Sequence, residues 1–217
     1  LGLGILGHKK KIKDIQIQGK CNWIMQNQPR IWENTHKYLQ VSGFLNHRLT
    51  GNFSDSIASQ IGYLPFDYKK QAWAKDYQLS RKLFPIEKDK LPLLIKPGEM
   101  LGRITAKAEQ QCGLKKGIPV IACGSDKGCE TLGAGVVTFD MASLSFGTTA
   151  TVQTLSEKYI EPMKYLPAYP ASVPDFYNPE IEIFRGFWMI SWFKKQFAHK
   201  EVEQAGKLGI PAEEVLN

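Results

Sequence analysis

One carboxylate and one polar bend carry the chemistry this sequence can offer. In Val120-Ile121-Ala122-Cys123-Gly124-Ser125-Asp126-Lys127 an apolar run stops and Asp126 follows it. An aspartate at the carboxyl end of a buried strand stands where α/β sheets bind their ligands. Facing a hydroxyl, it would take the proton as general base while a phosphoryl group is transferred. The structural alternative makes Asp126 the N-cap of a helix from Lys127 to Gly133. Gly147-Thr148-Thr149 is the second candidate. A hairpin bend of these residues gathers backbone N–H groups and hydroxyls at one point, a donor set suited to phosphate. The alternative there is an ordinary β-turn. The two candidates lie within about 25 residues, the span of one supersecondary unit, so a base and a phosphate cradle would share one cleft.

The elements around them must position them. Ile118 to Cys123 reads as a short strand buried on both faces. A turn then enters a glycine-rich helix. Met141 to Leu155 reads as β, with Met141, Leu144, Phe146 and Val152 its apolar members and Gly147-Thr148-Thr149 its bend. Upstream, Thr105 caps a short helix that Gly113 stops. Pro29 to Gly51 reads as one long amphipathic helix, with Ile31, Tyr38 and Leu45 at heptad spacing and Gly51 as its stop. His36 and His47 fall on that helix as surface or packed histidines. Ser54 or Asp55 would cap the short helix that follows. The two prolines and Gly98 in "KLPLLIKPGE" place a domain boundary or hinge. Residues 162–180 are proline- and tyrosine-rich, an irregular loop. A helix around Phe187, Trp188, Ile190, Ser191 and Phe197 has no single apolar face, so packing on more than one side is expected. "PAEEVLN" opens another helix. Strand, helix, strand, glycine turn and strand in that order argue for an α/β architecture.

Composition narrows the function class. The chain has 217 residues, 43% hydrophobic and 23% charged, as ordinary globular proteins do. No apolar run is long enough to cross a membrane. The apolar start precedes its basic run, the reverse of a secretory leader. The net charge of +7 favours anionic partners, nucleotides among them. The basic cluster from His8 to Lys13 reads as a solvated face, with nucleic-acid binding the lesser alternative. The four cysteines, Cys21, Cys112, Cys123 and Cys129, form no CxxC pair and have no histidine at ligand spacing, so free thiols are expected rather than zinc. Trp23, Trp32 and Trp73 are expected in the core.

Three segments together resemble the FGGY carbohydrate kinases, sugar and polyol kinases of the actin-like, ribonuclease H-like ATPase superfamily. Pro29 to Ser59 is similar to that family's helix, its Leu-Thr-Gly turn (Leu49-Thr50-Gly51) and its Asp-x-x-Ala-Ser segment (Asp55 to Ser59). Pro97 to Gly135 resembles its Gly-Leu-x-x-Gly-x-Pro-Val run, the aspartate beyond it and a Leu-Gly-x-Gly turn. "SLSFGTTATV" resembles its Ser-Leu-Gly-Thr-Ser/Thr hairpin, with Phe146 in place of a more usual leucine. The resemblance implies parts of two domains around a nucleotide cleft. Residues 1–95 would end a sugar-binding domain and residues 96–217 would begin an ATP-binding one. It makes Asp126 the catalytic base and a substrate contact. Gly124 and Gly128 would keep the backbone close to the substrates, and Gly147, Thr148 and Thr149 would contact the ATP phosphates. ATP and Mg2+ are the implied cofactors, and no side chain is assigned as a metal ligand. The implied partner is a ketose or polyol, xylulose-like, with a homodimer among the assemblies allowed. Nucleic acid and membrane are not expected, and a cytoplasmic location is. The family's Asp-x-Gly-Thr phosphate loop is not found in this sequence. The chain therefore reads as an interior piece, inactive by itself. The alternative is a non-catalytic nucleotide- or sugar-binding module of the same fold. Lys127, unusual after the aspartate, would tune substrate choice.

Overall fold

The computed structural model describes residues 9–164 and 166–216. The apolar start and His8 lie outside them. Lys9 to Lys13 opens the first helix, α1 (Lys9–Gln18). Helix α2 (Lys20–Asn27) follows at Gly19.

The single long helix expected from Pro29 to Gly51 is two helices. Helix α3 (Pro29–Glu33) starts on its proline, and α4 (Val41–Thr50) ends where expected. Residues 34–40 leave the helical path because Tyr38 N–H donates to Lys90 O at 2.8 Å, a contact across the fold that outweighs the heptad pattern. Gly51 closes α4 at φ 78°, a left-handed position that costs a residue with a Cβ roughly 1 kcal/mol. His36 sits in the break, while His47 is on α4 and stacks on Phe53 with ring centroids 4.0 Å apart.

Short strands then build several small sheets. β1 (Ser54–Ser56) pairs in parallel with β4 (Leu93–Ile95), Asp55 opposite Leu94. β2 (Phe66–Asp67) and β3 (Ala72–Trp73) form a hairpin, followed by the short helix α5 (Leu79–Leu83). β5 (Met100–Arg103) pairs antiparallel with β6 (Pro119–Ile121). Between them α6 (Ala106–Cys112) is capped by Thr105, whose hydroxyl accepts from Ala108 N–H at 3.2 Å, and stops at Gly113.

Helix α7 (Asp126–Gly133) leads to the antiparallel sheet β11-β8-β7, in which β7 (Ala142–Phe146) and β8 (Ala150–Thr154) form the expected hairpin. β9 (Tyr169–Pro170) and β10 (Tyr177–Asn178) pair across the expected loop. β11 (Glu180–Ile183) then pairs with β8, Glu180 opposite Gln153 and Glu182 opposite Thr151. Three helices follow, α8 (Trp188–Phe197), α9 (His199–Leu208) and α10 (Ala212–Leu216).

The main core gathers Cys21, Trp32, Ile57, Leu64, Phe66, Phe84, Ile86 and Leu91, with Trp73 packed against it. A smaller one holds Val136, Leu155 and Ala171. Three burial expectations fail. Strand 118–123 is not buried on both faces: Ile118 and Ile121 are exposed, because β6 has one partner and little packs over it. Trp23 lies on the outer side of α2 and is exposed. Helix α8 buries none of its residues among those described, and its aromatic rings touch one another instead, Trp192 and Phe193 against Phe197. The four cysteines are free thiols, as expected.

Candidate functional site

The loop ahead of Asp126 is pinned on consecutive residues by the segment Ser56 to Ser59. Ser56 Oγ donates to Cys123 O, Ser59 Oγ donates to Gly124 O at 3.4 Å, and Ser125 N–H donates to Ala58 O at 3.0 Å. On the other side Ala122 N–H donates to Glu99 O and Gly98 N–H donates to Ala122 O, each at 2.8 Å. The clamp is itself anchored by Asp55, which has no exposed surface. Its carboxylate accepts from Ser42 Oγ (2.7 Å), Asn46 Nδ2 (3.1 Å), Gln60 Nε2 (2.9 Å) and Ser56 N–H (2.8 Å). A buried carboxylate is tolerated only with donors of this kind. Asp55 is therefore no helix cap. Ser56 caps the one-turn 3-10 helix Ile57–Ser59, its hydroxyl accepting from Ala58 N–H at 3.2 Å. The Asp-x-x-Ala-Ser pattern pointed at this segment, but its role emerges only from donors brought together by folding.

The capping alternative for Asp126 is overturned. Ser125 is the N-cap of α7, its Oγ accepting from Gly128 N–H at 3.1 Å. Asp126 is the first helical residue, and its carboxylate is exposed, with Oδ1 accepting from Lys127 N–H at 2.8 Å. Asp126 also lines a cavity of about 180 Å³. Lys127, Tyr169, Glu180 and Glu182 line it with Asp126, as do Ile61 and Leu166. Sequence reading missed Tyr169, Glu180 and Glu182. Nothing local marks them, since they belong to strands that reach Asp126 only through tertiary pairing.

Helix α7 is bound to the hairpin by its polar side. Lys127 Nζ reaches Glu130 Oε2 (2.7 Å) and Ser145 Oγ (2.9 Å). The hydrogen bond to Glu130 is the main reason the Lys127 ammonium holds its proton above the ordinary lysine range; burial opposes it, and the charges of Glu130, Asp126 and Glu180 add to it. Further along, Thr131 Oγ1 donates to Gln153 Oε1. That uses its one proton, so Ser143 Oγ must donate to Thr131 at 2.9 Å. Gln153 Nε2 is left facing Glu180 and donates to Oε2 at 3.0 Å. Burial, and secondarily Glu182, holds the Glu180 carboxyl above the usual glutamate range.

At the bend, Gly147 N–H donates to Thr149 O at 2.9 Å, and Gly147 O accepts from Phe187 N–H at 2.9 Å. Gly186 packs so tightly on Gly147 and Thr148 that a Cβ there would overlap their backbone. The Gly147 amide is thus spent inside the turn. The amides and hydroxyls of Thr148 and Thr149 carry no hydrogen bond to described residues and are the donors left for a ligand. Space for a Cβ on Gly124 is taken by Ser172 Oγ, and at Gly128 the same atom would lie 3.0 Å away. In this structure these two glycines admit a neighbouring loop. Among the described residues, no three His, Cys, Asp or Glu side chains converge to hold a metal ion.

The family model described as "FGGY family of carbohydrate kinases, N-terminal domain" matches residues 12–133, a span that includes Asp126. An uncharacterised sugar kinase of Escherichia coli (strain K12) is 33% identical over 178 residues, covering 81% of this chain and 36% of that protein. A xylulose kinase of Lactococcus lactis subsp. lactis (strain IL1403) is 25% identical over 190 residues, covering 85% of this chain and 37% of that protein. The crystal structure of ligand-bound xylulose kinase from Lactobacillus acidophilus superposes with a TM-score of 0.72 at 20% identity, over 87% of this chain and 39% of that one. The chain thus spans little more than a third of the length of these relatives, and its α/β architecture is theirs.

Proposed function

Since the chain belongs to the FGGY family of carbohydrate kinases, we propose that the protein containing it transfers a phosphoryl group from ATP to a hydroxyl of a sugar or polyol, with Asp126 as general base. The observation that carries this reading is the Asp126 carboxylate itself: relieved of capping by Ser125, on a loop pinned from both sides, and open to a cavity lined by hydroxyl-binding groups. A base must sit within hydrogen-bond reach of the proton it removes, and a rigid loop holds it there. The substrate hydroxyl would donate to Asp126, and its proton would pass to the carboxylate as the oxygen attacks phosphorus. The Lys127–Ser145 and Thr131–Ser143 contacts tie the helix carrying the base to β7, the strand that leads into the bend at Thr148 and Thr149. Those threonines would donate to the phosphates, a fit to an anion that their unused amides and hydroxyls support.

Bound nucleotide supplies the phosphoryl group. Mg2+ commonly binds through substrate phosphates with only one or two carboxylates, so it would be held mainly by the nucleotide. Xylulose or a close ketose or polyol is the substrate favoured by the similarity to xylulose kinases. Residues 1–95 would close the sugar-binding part and residues 96–217 open the nucleotide-binding part. The test is ADP release by the full-length gene product over a panel of ketoses and polyols. Asp126→Asn is expected to lower kcat by about 10²- to 10⁴-fold, the usual worth of a general base, with the melting temperature unchanged. Retained turnover in the variant would remove Asp126 from the base role.

A further inference from the structure

Glu180 has a place in the Asp126 cavity that the phosphoryl-transfer step does not use. It lines the same 180 Å³ space as Asp126, with the Tyr169 ring on the wall. Its side chain is half-buried and locked. The chain of hydrogen bonds from Ser143 through Thr131 and Gln153 ends on Glu180 Oε2, so the amide of Gln153 cannot turn its oxygen toward the carboxylate. Glu180 Oε1 carries no hydrogen bond to a described residue and remains as an acceptor. A fixed carboxylate beside an aromatic ring suits a polyhydroxy compound, which offers O–H donors on its edges and C–H groups on its face.

The same geometry disfavours an anionic substrate. Lys127 is the only cation among the described lining residues, and its ammonium is engaged by Glu130 and Ser145. A substrate carboxylate would meet Asp126, Glu180 and Glu182, with no cation besides Lys127 among the described lining residues. Unpaired like charge is an effective means of rejecting a wrong ligand.

Building on the kinase reading, we propose that Glu180 is a specificity-determining residue: it accepts a hydrogen bond from a substrate hydroxyl and reserves the site for uncharged ketoses or polyols against sugar acids. Glu182, two residues along the same strand face, adds to the exclusion of anions without holding the hydroxyl.

The test measures kcat/KM of the full-length gene product for D-xylulose and xylitol against D-gluconate and D-xylonate. The wild type is expected to favour the neutral class at least ~100-fold. Glu180→Gln, which keeps the Gln153 bond through its amide oxygen, should narrow that ratio at least ~10-fold by removing a repelling charge. Glu180→Asp should weaken use of the neutral class and still reject the acids. It also serves should Glu180→Gln fail to fold. A wild type that prefers the acids, or a Glu180→Gln ratio within about twofold of wild type, overturns the proposal. If no compound of either class is turned over, the kinase reading fails, and the same ratio is then read as Kd by calorimetry. Tighter binding of the neutral class, narrowed by Glu180→Gln, keeps the assignment of Glu180. Equal binding, or none, ends it.

Discussion

The two regions on either side of Asp126 are stabilised in opposite ways. Residues 15–94 fold around apolar side chains: Phe66 is 2% exposed and Ile86 0%, and aromatic rings close around them, Tyr68 and Trp73 edge-on to Phe66. The β7-β8-β11 sheet does the reverse. Its packed face is polar, with Ser143, Ser145 and Gln153 hydrogen-bonded to α7 and Glu180 to Gln153, while Leu144 is 64% exposed and Phe146 60% on the other face. The difference assigns separate tasks. The apolar unit supplies a floor that fixes the loop before Asp126, and the polar sheet supplies Glu180 and Glu182 to the wall of the Asp126 cavity. The anchoring of the loop and the lining of the cavity fall to different residues.

The largest effect should come from the apolar unit. Phe66→Ala should cost about 3–5 kcal/mol of unfolding free energy, read from urea titrations, whereas Leu144→Ala should stay within about 0.5 kcal/mol. Equal losses would mean that the outer sheet face is covered in solution, and the contrast would collapse. Next comes the anchor of the clamp. Asp55→Ala strands donors from Ser42, Asn46, Gln60 and Ser56, and should cost roughly 3 kcal/mol. A silent Asp55→Ala in the same titration would show that the apolar core holds the loop without it. Ser125→Ala removes only a cap and should cost about 1 kcal/mol. Set beside Asp126→Asn, it separates helix stability from chemistry: Ser125→Ala lowers the melting temperature and Asp126→Asn does not.

The smallest effect concerns pH and the polar face. Burial, then Glu182, raises the Glu180 carboxyl above the ordinary value of 4.5. Folding then favours the protonated form. That contribution to stability is complete below the ordinary value and is lost as pH rises through the raised one. Glu180→Gln should therefore raise the melting temperature at neutral pH by about 2 °C or less. The gain should fade as the solution is acidified past the ordinary glutamate range. A melting-temperature difference that stays constant with pH would show that Glu180 titrates alike in folded and unfolded chains.

Much of this was legible before any fold was known. Gly51 and Gly113 ended their helices, Thr105 capped the helix that begins at Ala106, and Gly147-Thr148-Thr149 made the bend between two strands. The strand-turn-helix at Asp126 lay in place. Each is written within about four residues, because a cap, a left-handed glycine or a hairpin bend is a local backbone requirement. Even so, Ser125 and Asp126 were one residue apart as cap candidates, and only the Ser125–Gly128 bond decided between them.

The amino-acid sequence by itself determined the local turns, the position of one chemically promising carboxylate at a strand end, and the resemblance to sugar kinases. Tertiary structure alone decided that residues 29–51 break in two at a contact with Lys90, that Asp55 is an anchor rather than a cap, and that Tyr169 and Glu180 share a cavity with Asp126. The reason is range. Heptads, caps and turns act between neighbours, whereas a buried carboxylate's donors and a cavity's walls come from segments tens of residues apart, and no spacing rule connects them until the chain has folded.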